Sequence, residues 1–197
     1  MTTAGSTKEV IIAATLETLR THGFAGTSAR AIARAGGFNQ ALIFYHFGTI
    51  NELLLVALDA TAGERLARYR EEVESASGAQ ELMEIAARLY QEDLEAGHIT
   101  VLGELIAGSL TEPELGPKLV ERMEPWIDLA ETAIERATAG TFVPQMVPPR
   151  DLAFALVALY LGVDLMTHLD GDRTRAGSLF DVGRRLAPVI AMLSSED

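Results

Sequence analysis

Apolar residues recur along this chain at three- and four-residue spacings, with no run of the strict alternation that a half-buried strand requires. The pattern predicts helices throughout. Val10, Ile11, Ala14, Leu16 and Leu19 make one face of a first helix over about 7–21. Ser6 and Glu9 have the spacing of a capping box at its start, and His22-Gly23 marks its end. Thr27-Ser28 signals the next N-cap, for a short helix over 29–35 that Gly36-Gly37 closes. Asn39 caps a third short helix through about His46. Thr49 and Glu52 form a second capping box that opens a long helix to about Ser75. At 1.5 Å per residue that helix is ~37 Å long. Further helices are predicted over 79–96, 99–110, 117–139, 150–169 and 173–193, about nine in all. The segment 140–149 holds Pro144, Pro148 and Pro149 and is predicted to be the longest loop. No internal repeat or low-complexity tract interrupts the pattern.

Composition narrows the chemistry. The chain has 197 residues, 48% hydrophobic and 22% charged, which is the make-up of a folded globular protein. It contains no Cys, which excludes disulfides, thiolate metal sites, iron–sulfur clusters and cysteine nucleophiles. The four histidines, His22, His46, His98 and His168, show no metal-ligand spacing. No metal site, no cofactor, no catalytic constellation and hence no enzyme is expected. Residues 1–6 lack the basic and apolar regions of a secretory signal. The longest apolar run, 152–163, spans 12 residues before Asp164, too short for a bilayer. A soluble, cytoplasmic protein is expected.

The charge is unevenly spread. The chain carries −12 overall, which on its face argues against a polyanionic partner. Residues 1–58, however, hold four basic residues (Lys8, Arg20, Arg30, Arg34) against three acidic ones, a net of +1. The remainder holds twelve basic against twenty-five acidic residues, a net of −13. Phosphate would be repelled by the body and could approach only the amino-terminal part.

That part contains the most informative segment, TSARAIARAGGFNQALIFYHF over 27–47. Two short helices flank a glycine turn, as in a helix-turn-helix. Ile32 and Ala33 point inward, Gly37 sits where the turn needs positive φ, and Phe38 and Ile43 fill the space between the helices. Asn39, Gln40, Ala41, Phe44 and Tyr45 are the exposed candidates for contacts to base edges. A glutamine can bind adenine bidentately, and an alanine or aromatic ring can touch a thymine methyl. Arg30 can reach a phosphate or a guanine edge. Phosphate contacts are further assigned to Ser28, Tyr45, His46, Thr49 and helix N-termini, and Thr27 is counted with the DNA-binding set. Phe47 reads as core.

The segment resembles the TetR family of bacterial transcription regulators. The likeness covers Thr7 to about Leu58. It rests on Thr27-Ser28-x-Arg30-x-Ile32-Ala33-x-x-Gly36-Gly37, then Asn39 to Phe47 unbroken, then Glu52-Leu53-Leu54. It implies an all-α protein with a three-helix helix-turn-helix DNA-binding domain, 1–48, joined by a long helix to a helical ligand-binding and dimerisation domain, 49–197. It implies three partners: palindromic double-stranded DNA, a second copy of the chain, and a small-molecule effector that releases the DNA. Two positions depart from the family pattern. Ile50 stands where the family commonly has a phosphate-binding Lys, and Phe44 where it commonly has Tyr. With so few cations in 1–58, a shallow salt dependence is expected.

The body is less legible. Tyr90, Leu102, Leu105, Ile106, Met123, Trp126, Phe154 and Tyr160 are candidates to line an apolar effector pocket, and at helical spacing they also read as core. Leu152, Leu156, Leu159 and Val163 lie on a helix apolar nearly all round. With Leu179, Val182, Leu186, Val189 and Ile190 of the last helix they are the candidate dimer interface. Two alternatives remain open: a DNA-binding factor of the same fold without an effector, and a helical small-molecule carrier with a degenerate DNA head.

Overall fold

The computed structural model describes residues 6–96, 98–171 and 174–192, and within these not the side chains of residues 168, 170, 175 and 189–192. His168 and the dimer candidates Val189 and Ile190 therefore lie outside the described side chains. Among the described residues ten helices follow in order: α1 Thr7–Gly26, α2 Ala29–Gly36, α3 Ala41–Phe47, α4 Ile50–Ser75, α5 Ala79–Ala96, α6 His98–Ser109, α7 Leu115–Ala137, α8 Val143–Met146, α9 Pro149–Asp170 and α10 Thr174–Met192. The architecture is all-α, as the apolar periodicity predicts. The additional helix, α8, is a single turn inside the segment predicted as loop, started by Pro144 near its first position.

Local signals set most helix ends. Ser6 and Glu9 form the full capping box: the Ser6 hydroxyl accepts from the Glu9 N–H at 3.4 Å, and the Glu9 carboxylate accepts from the Ser6 N–H at 2.9 Å. Gly37 ends α2 in the left-handed region, with φ 68°. Three details depart from the sequence reading. Helical backbone breaks at Gly23 (φ 67°, ψ −179°), yet one further turn runs on to Gly26. Gln40, not Asn39, holds the N-cap position of α3, although the Asn39 side-chain oxygen still accepts the Ala41 N–H at 2.9 Å. The predicted box at Thr49 is only half formed. The Thr49 hydroxyl accepts from the Glu52 N–H at 3.1 Å, but the Glu52 carboxylate turns to Lys118 instead of back to Thr49. A distant ammonium offers that carboxylate a charged partner, and the backbone amide does not.

The chain divides into two compact units, one of residues 1–63 with 97–122, the other of 64–96 with 123–197. In the first, α1 packs on α2 and α6. One cluster joins Ile11, Ala14, Ala29, Ile32, Ile43 and Leu53, with Phe38, Leu42 and Phe47 against it. A second joins Leu19, Leu54, Leu55, Leu58, Val101, Leu105, Leu115 and Leu119. In the second unit α10 packs on α5 and α9, and Tyr69, Val73, Ala76, Leu82, Ile85 and Leu129 are buried together. Among the described residues no single helix is long and apolar enough to cross a membrane.

Candidate nucleic-acid interface

The cluster of Ile11, Ala14, Ala29, Ile32, Ile43 and Leu53 fixes α2 and α3 from beneath and leaves their outer faces free. Ile32 and Ile43 are fully buried, one from each helix, so they set how the two helices cross. Small Ala33 and the αL turn at Gly37 let the chain pass from one to the other. On the opposite side Arg30, Asn39, Gln40 and Ala41 are exposed, Phe44 is 49% exposed and Tyr45 82% exposed. An aromatic residue of that exposure buries little of its ring at home, so it is available to a partner. Phe47, by contrast, packs into the cluster below. His46 is half-buried between the rings of Tyr45 and Phe47, edge-on to each.

The hydroxyls differ in what they have left to offer. Ser28 and Thr49 spend a lone pair on the helix amides of Ala31 and Glu52, and each keeps its proton for an acceptor such as phosphate. Thr27 donates its hydroxyl proton to the Gly23 carbonyl at 2.6 Å, so that proton is already committed. Asn39 accepts through its oxygen and keeps both amide protons. Among the described residues Lys8, Arg20, Arg30 and Arg34 make no ion pair, and all four are exposed. Ile50, the missing lysine, is half-buried where the two apolar clusters of the first unit meet. Apolar packing occupies that position.

Residues 11–57 match the family model described as bacterial regulatory proteins, tetR family. The amino-terminal domain is a TetR-family domain. No curated protein sequence matches the chain. Solved structures extend the likeness to nearly the whole chain at the level of fold. The fatty acid degradation regulator FadR from Bacillus halodurans superposes with a TM-score of 0.75 at 18% identity, over 93% of this chain and 95% of that one. A TetR transcriptional regulator from Legionella pneumophila gives 0.73 at 19% identity, over 93% and 98%. The regulator FadR from Bacillus subtilis, solved in complex with stearoyl-CoA, gives 0.69 at 14% identity, over 91% and 96%. The family model thus covers residues 11–57, and over the rest of the chain the likeness to TetR-type transcription regulators is one of fold.

In the TetR-like body the effector candidates fall into both units. Leu105 is fully buried in a cluster of the first unit, Leu102 packs beside it, and Ile106 is exposed. In the second unit Tyr90 is buried and Tyr160 half-buried, their rings edge-on at 5.5 Å. Trp126 lies under the Arg65 guanidinium, Met123 is half-buried, and Phe154 is 65% exposed. The structure gathers further groups around the two tyrosines that spacing alone did not single out. The Tyr160 hydroxyl donates to Asp93 at 2.6 Å, and Arg65 pairs with the same carboxylate at 2.6 Å. The Thr167 hydroxyl donates to the Val163 carbonyl, so Tyr90 is the donor in its 3.2 Å bond to Thr167. Phe180 packs on Tyr90 with ring centroids 5.1 Å apart. One sign was present in the sequence: Asp93 continues the apolar stripe of Leu82, Ile85 and Leu89, where a carboxylate needs buried partners.

Burial dominates the electrostatics of this cluster. It pushes the Asp93 carboxyl above the usual range, against the lowering effect of the Tyr160 hydroxyl and of Arg65. It drives the Tyr160 phenol well above the ordinary tyrosine range, helped by the Asp93 charge. Two grooves lie nearby. One, of about 350 Å³, is lined by Glu84, Arg88, Gln91, Phe180 and Arg184. The other, of about 370 Å³, is lined by Leu159, Gly162, Val163, Met166, Ala176 and Leu179.

Proposed function

We propose that the chain is a sequence-specific DNA-binding transcriptional regulator of the cytoplasm, a repressor released from a palindromic operator by a small, largely apolar ligand. The observation that carries this reading is the face of α2 and α3. A buried TetR-family core presents Arg30, Asn39, Gln40, Ala41, Phe44 and Tyr45 outward, beside cations that no carboxylate neutralises among the described residues. Ser28, His46 and Thr49 flank that face as phosphate contacts, with Thr27 beside them. Residues 1–48 are assigned to DNA and 49–197 to effector and dimer.

A homodimer is supported by the apolar residues left uncovered on the last two long helices. Leu156, Leu159, Leu165, Met166 and Leu169 of α9 are exposed, as are Leu179, Val182 and Leu186 of α10. Leu152 and Val163 are half-buried beside them. A patch of this kind favours a partner surface over water. A second copy of the chain would bring two recognition helices to successive major grooves, ~34 Å apart. A ligand that prefers a conformer with another spacing then lowers DNA affinity by population shift. Tyr90, Met123, Trp126, Phe154 and Tyr160 of the second unit, with Leu102, Leu105 and Ile106, are the assigned effector residues. The stearoyl-CoA held by the Bacillus subtilis neighbour makes a long-chain acyl thioester the first ligand class to try.

The test is selection of duplexes from a random-sequence library on the purified chain, followed by fluorescence anisotropy at fixed salt. A palindromic sequence bound at nanomolar concentration is expected. Arg30→Ala and Gln40→Ala should each weaken it by ~1–3 kcal/mol. Light scattering at micromolar concentration should give twice the chain mass, and acyl-CoA should release the duplex. Recovery of no duplex would overturn the reading in favour of a carrier. Release by no ligand would leave a DNA-binding factor without an effector.

A further inference from the structure

The break in α1 is closed from outside that helix. At Gly23 the backbone enters a region open essentially only to glycine, and a fresh turn begins whose first amides need outside acceptors. Glu104 on α6 supplies one: its carboxylate accepts the Phe24 N–H at 2.7 Å. A Cβ at Gly23 would stand 2.9 Å from the same carboxylate oxygen, so a side chain there would displace the carboxylate from the Phe24 N–H. One turn along α6 Gly108 lies against the Phe24 ring, and a Cβ there would come within 2.5 Å of it. Helix α6 thus grips Phe24 at two points, by its amide and by its ring.

From this grip a chain of hydrogen bonds leads directly to α2. The Gly23 carbonyl accepts the Thr27 hydroxyl at 2.6 Å, and the Thr27 N–H donates to the Phe24 carbonyl at 3.0 Å. The next residue, Ser28, caps α2. Among the described residues no Lys or Arg pairs with Glu104, so its charge is spent on this backbone.

We infer that Glu104 is a positioning residue for DNA binding: by holding the Gly23–Phe24 junction it sets where α2, with Arg30, begins. The inference rests on the DNA-binding reading above. Affinity for DNA then depends on a side chain of α6 that lies outside the DNA-facing set.

The test uses the full chain, a fluorescein-labelled duplex selected from a random library on the wild type, and three variants. Glu104→Leu removes the acceptor. Glu104→Gln keeps a neutral acceptor of the same length, and charge-assisted bonds are about twice as strong as neutral ones. Leu129→Ala lowers stability from the cluster of the second unit and leaves the junction alone. Binding should weaken about tenfold or more in Glu104→Leu and by about threefold in Glu104→Gln. It should stay near wild type in Leu129→Ala at a matched loss of melting temperature. Amide exchange in peptides covering 20–31 should quicken in the same order. Glu104→Leu binding as tightly as the wild type would overturn the inference, as would equal weakening by Leu129→Ala. If Glu104→Leu does not fold, unchanged binding by Glu104→Gln overturns it. Failure of the wild type to select any duplex would instead bring down the DNA-binding reading, and this role with it.

Discussion

In the helix-turn-helix segment the cations stand alone, whereas in the second unit arginine after arginine is paired. Lys8, Arg20, Arg30 and Arg34 meet no carboxylate among the described residues. Arg65 pairs with Asp93, Arg68 with Glu92, Arg88 with Glu72, and Arg150 with Glu124, Asp128 and Glu131 together. The first region is held by aliphatic packing, glycine turns and backbone caps; the second adds a lattice of ion pairs to its apolar core. In a chain of net charge −12 this division has a consequence for binding. A positive charge already neutralised by a neighbouring acid draws little on phosphate, so the cations of the helix-turn-helix segment keep their charge for it, whereas in the second unit only a few, such as Arg70, lack an ion pair among the described residues.

The contrast can be broken most forcefully in the apolar core of the head. Ile43 is fully buried between α2 and α3, and Ile43→Ala should cost ~2–5 kcal/mol in urea unfolding. Duplex binding should fall with it, since the two helices lose their mutual register. A loss below 1 kcal/mol would mean that caps, not packing, hold the motif. Next in size is Ser28→Ala, which removes the α2 cap and, with it, the hydroxyl proposed to contact phosphate. It should destabilise by ~1 kcal/mol and weaken binding at every salt concentration.

Ile50→Lys sharpens the electrostatic side. If the missing lysine explains a shallow salt dependence, this change should steepen the logarithmic salt slope by ~0.9 for each phosphate gained. It should also lower the melting temperature slightly, because Ile50 packs on both clusters of the first unit. A wild-type slope as steep as ~−10 would contradict the shallow dependence expected here. In the second unit Arg150→Ala should shift melting little, although it removes three ion pairs, because those pairs face solvent.

The smallest effect is at alkaline pH. Burial and the bond to Glu92 push the Tyr69 phenol up to about 12 from the ordinary 10.0. The folded state therefore holds that proton more tightly than the unfolded one. Its contribution is fully present below pH 10 and is lost as pH rises towards 12. Thermal melts across this window should show a slope that Tyr69→Phe flattens.

Much of the fold was legible because its signals are local. A serine three residues before a glutamate, a glycine that tolerates positive φ, and an apolar face repeating every three or four positions act within one or two turns of helix. They placed the helix ends of 7–48 to within a residue or two, except that α1 runs on past Gly23 to Gly26, and the resemblance to the TetR family rests on the same stretch. The face of Arg30, Gln40, Phe44 and Tyr45 followed from helical spacing, because the inward positions were already taken by Ile32 and Ile43.

The remaining features join residues far apart in the chain, and there the sequence is silent about partners. By itself it determined the class of fold, the helix-turn-helix and the uneven charge, since each depends on composition or on near neighbours. Tertiary structure alone decided that the Glu52 carboxylate goes to Lys118 and not back to Thr49. It alone decided that Glu104 closes the break at Gly23, and that Asp93, Arg65 and Tyr160 meet. The physical reason is common to all three. A carboxylate takes the strongest donor within reach, and which donor is within reach is set by helix packing, not by position along the chain.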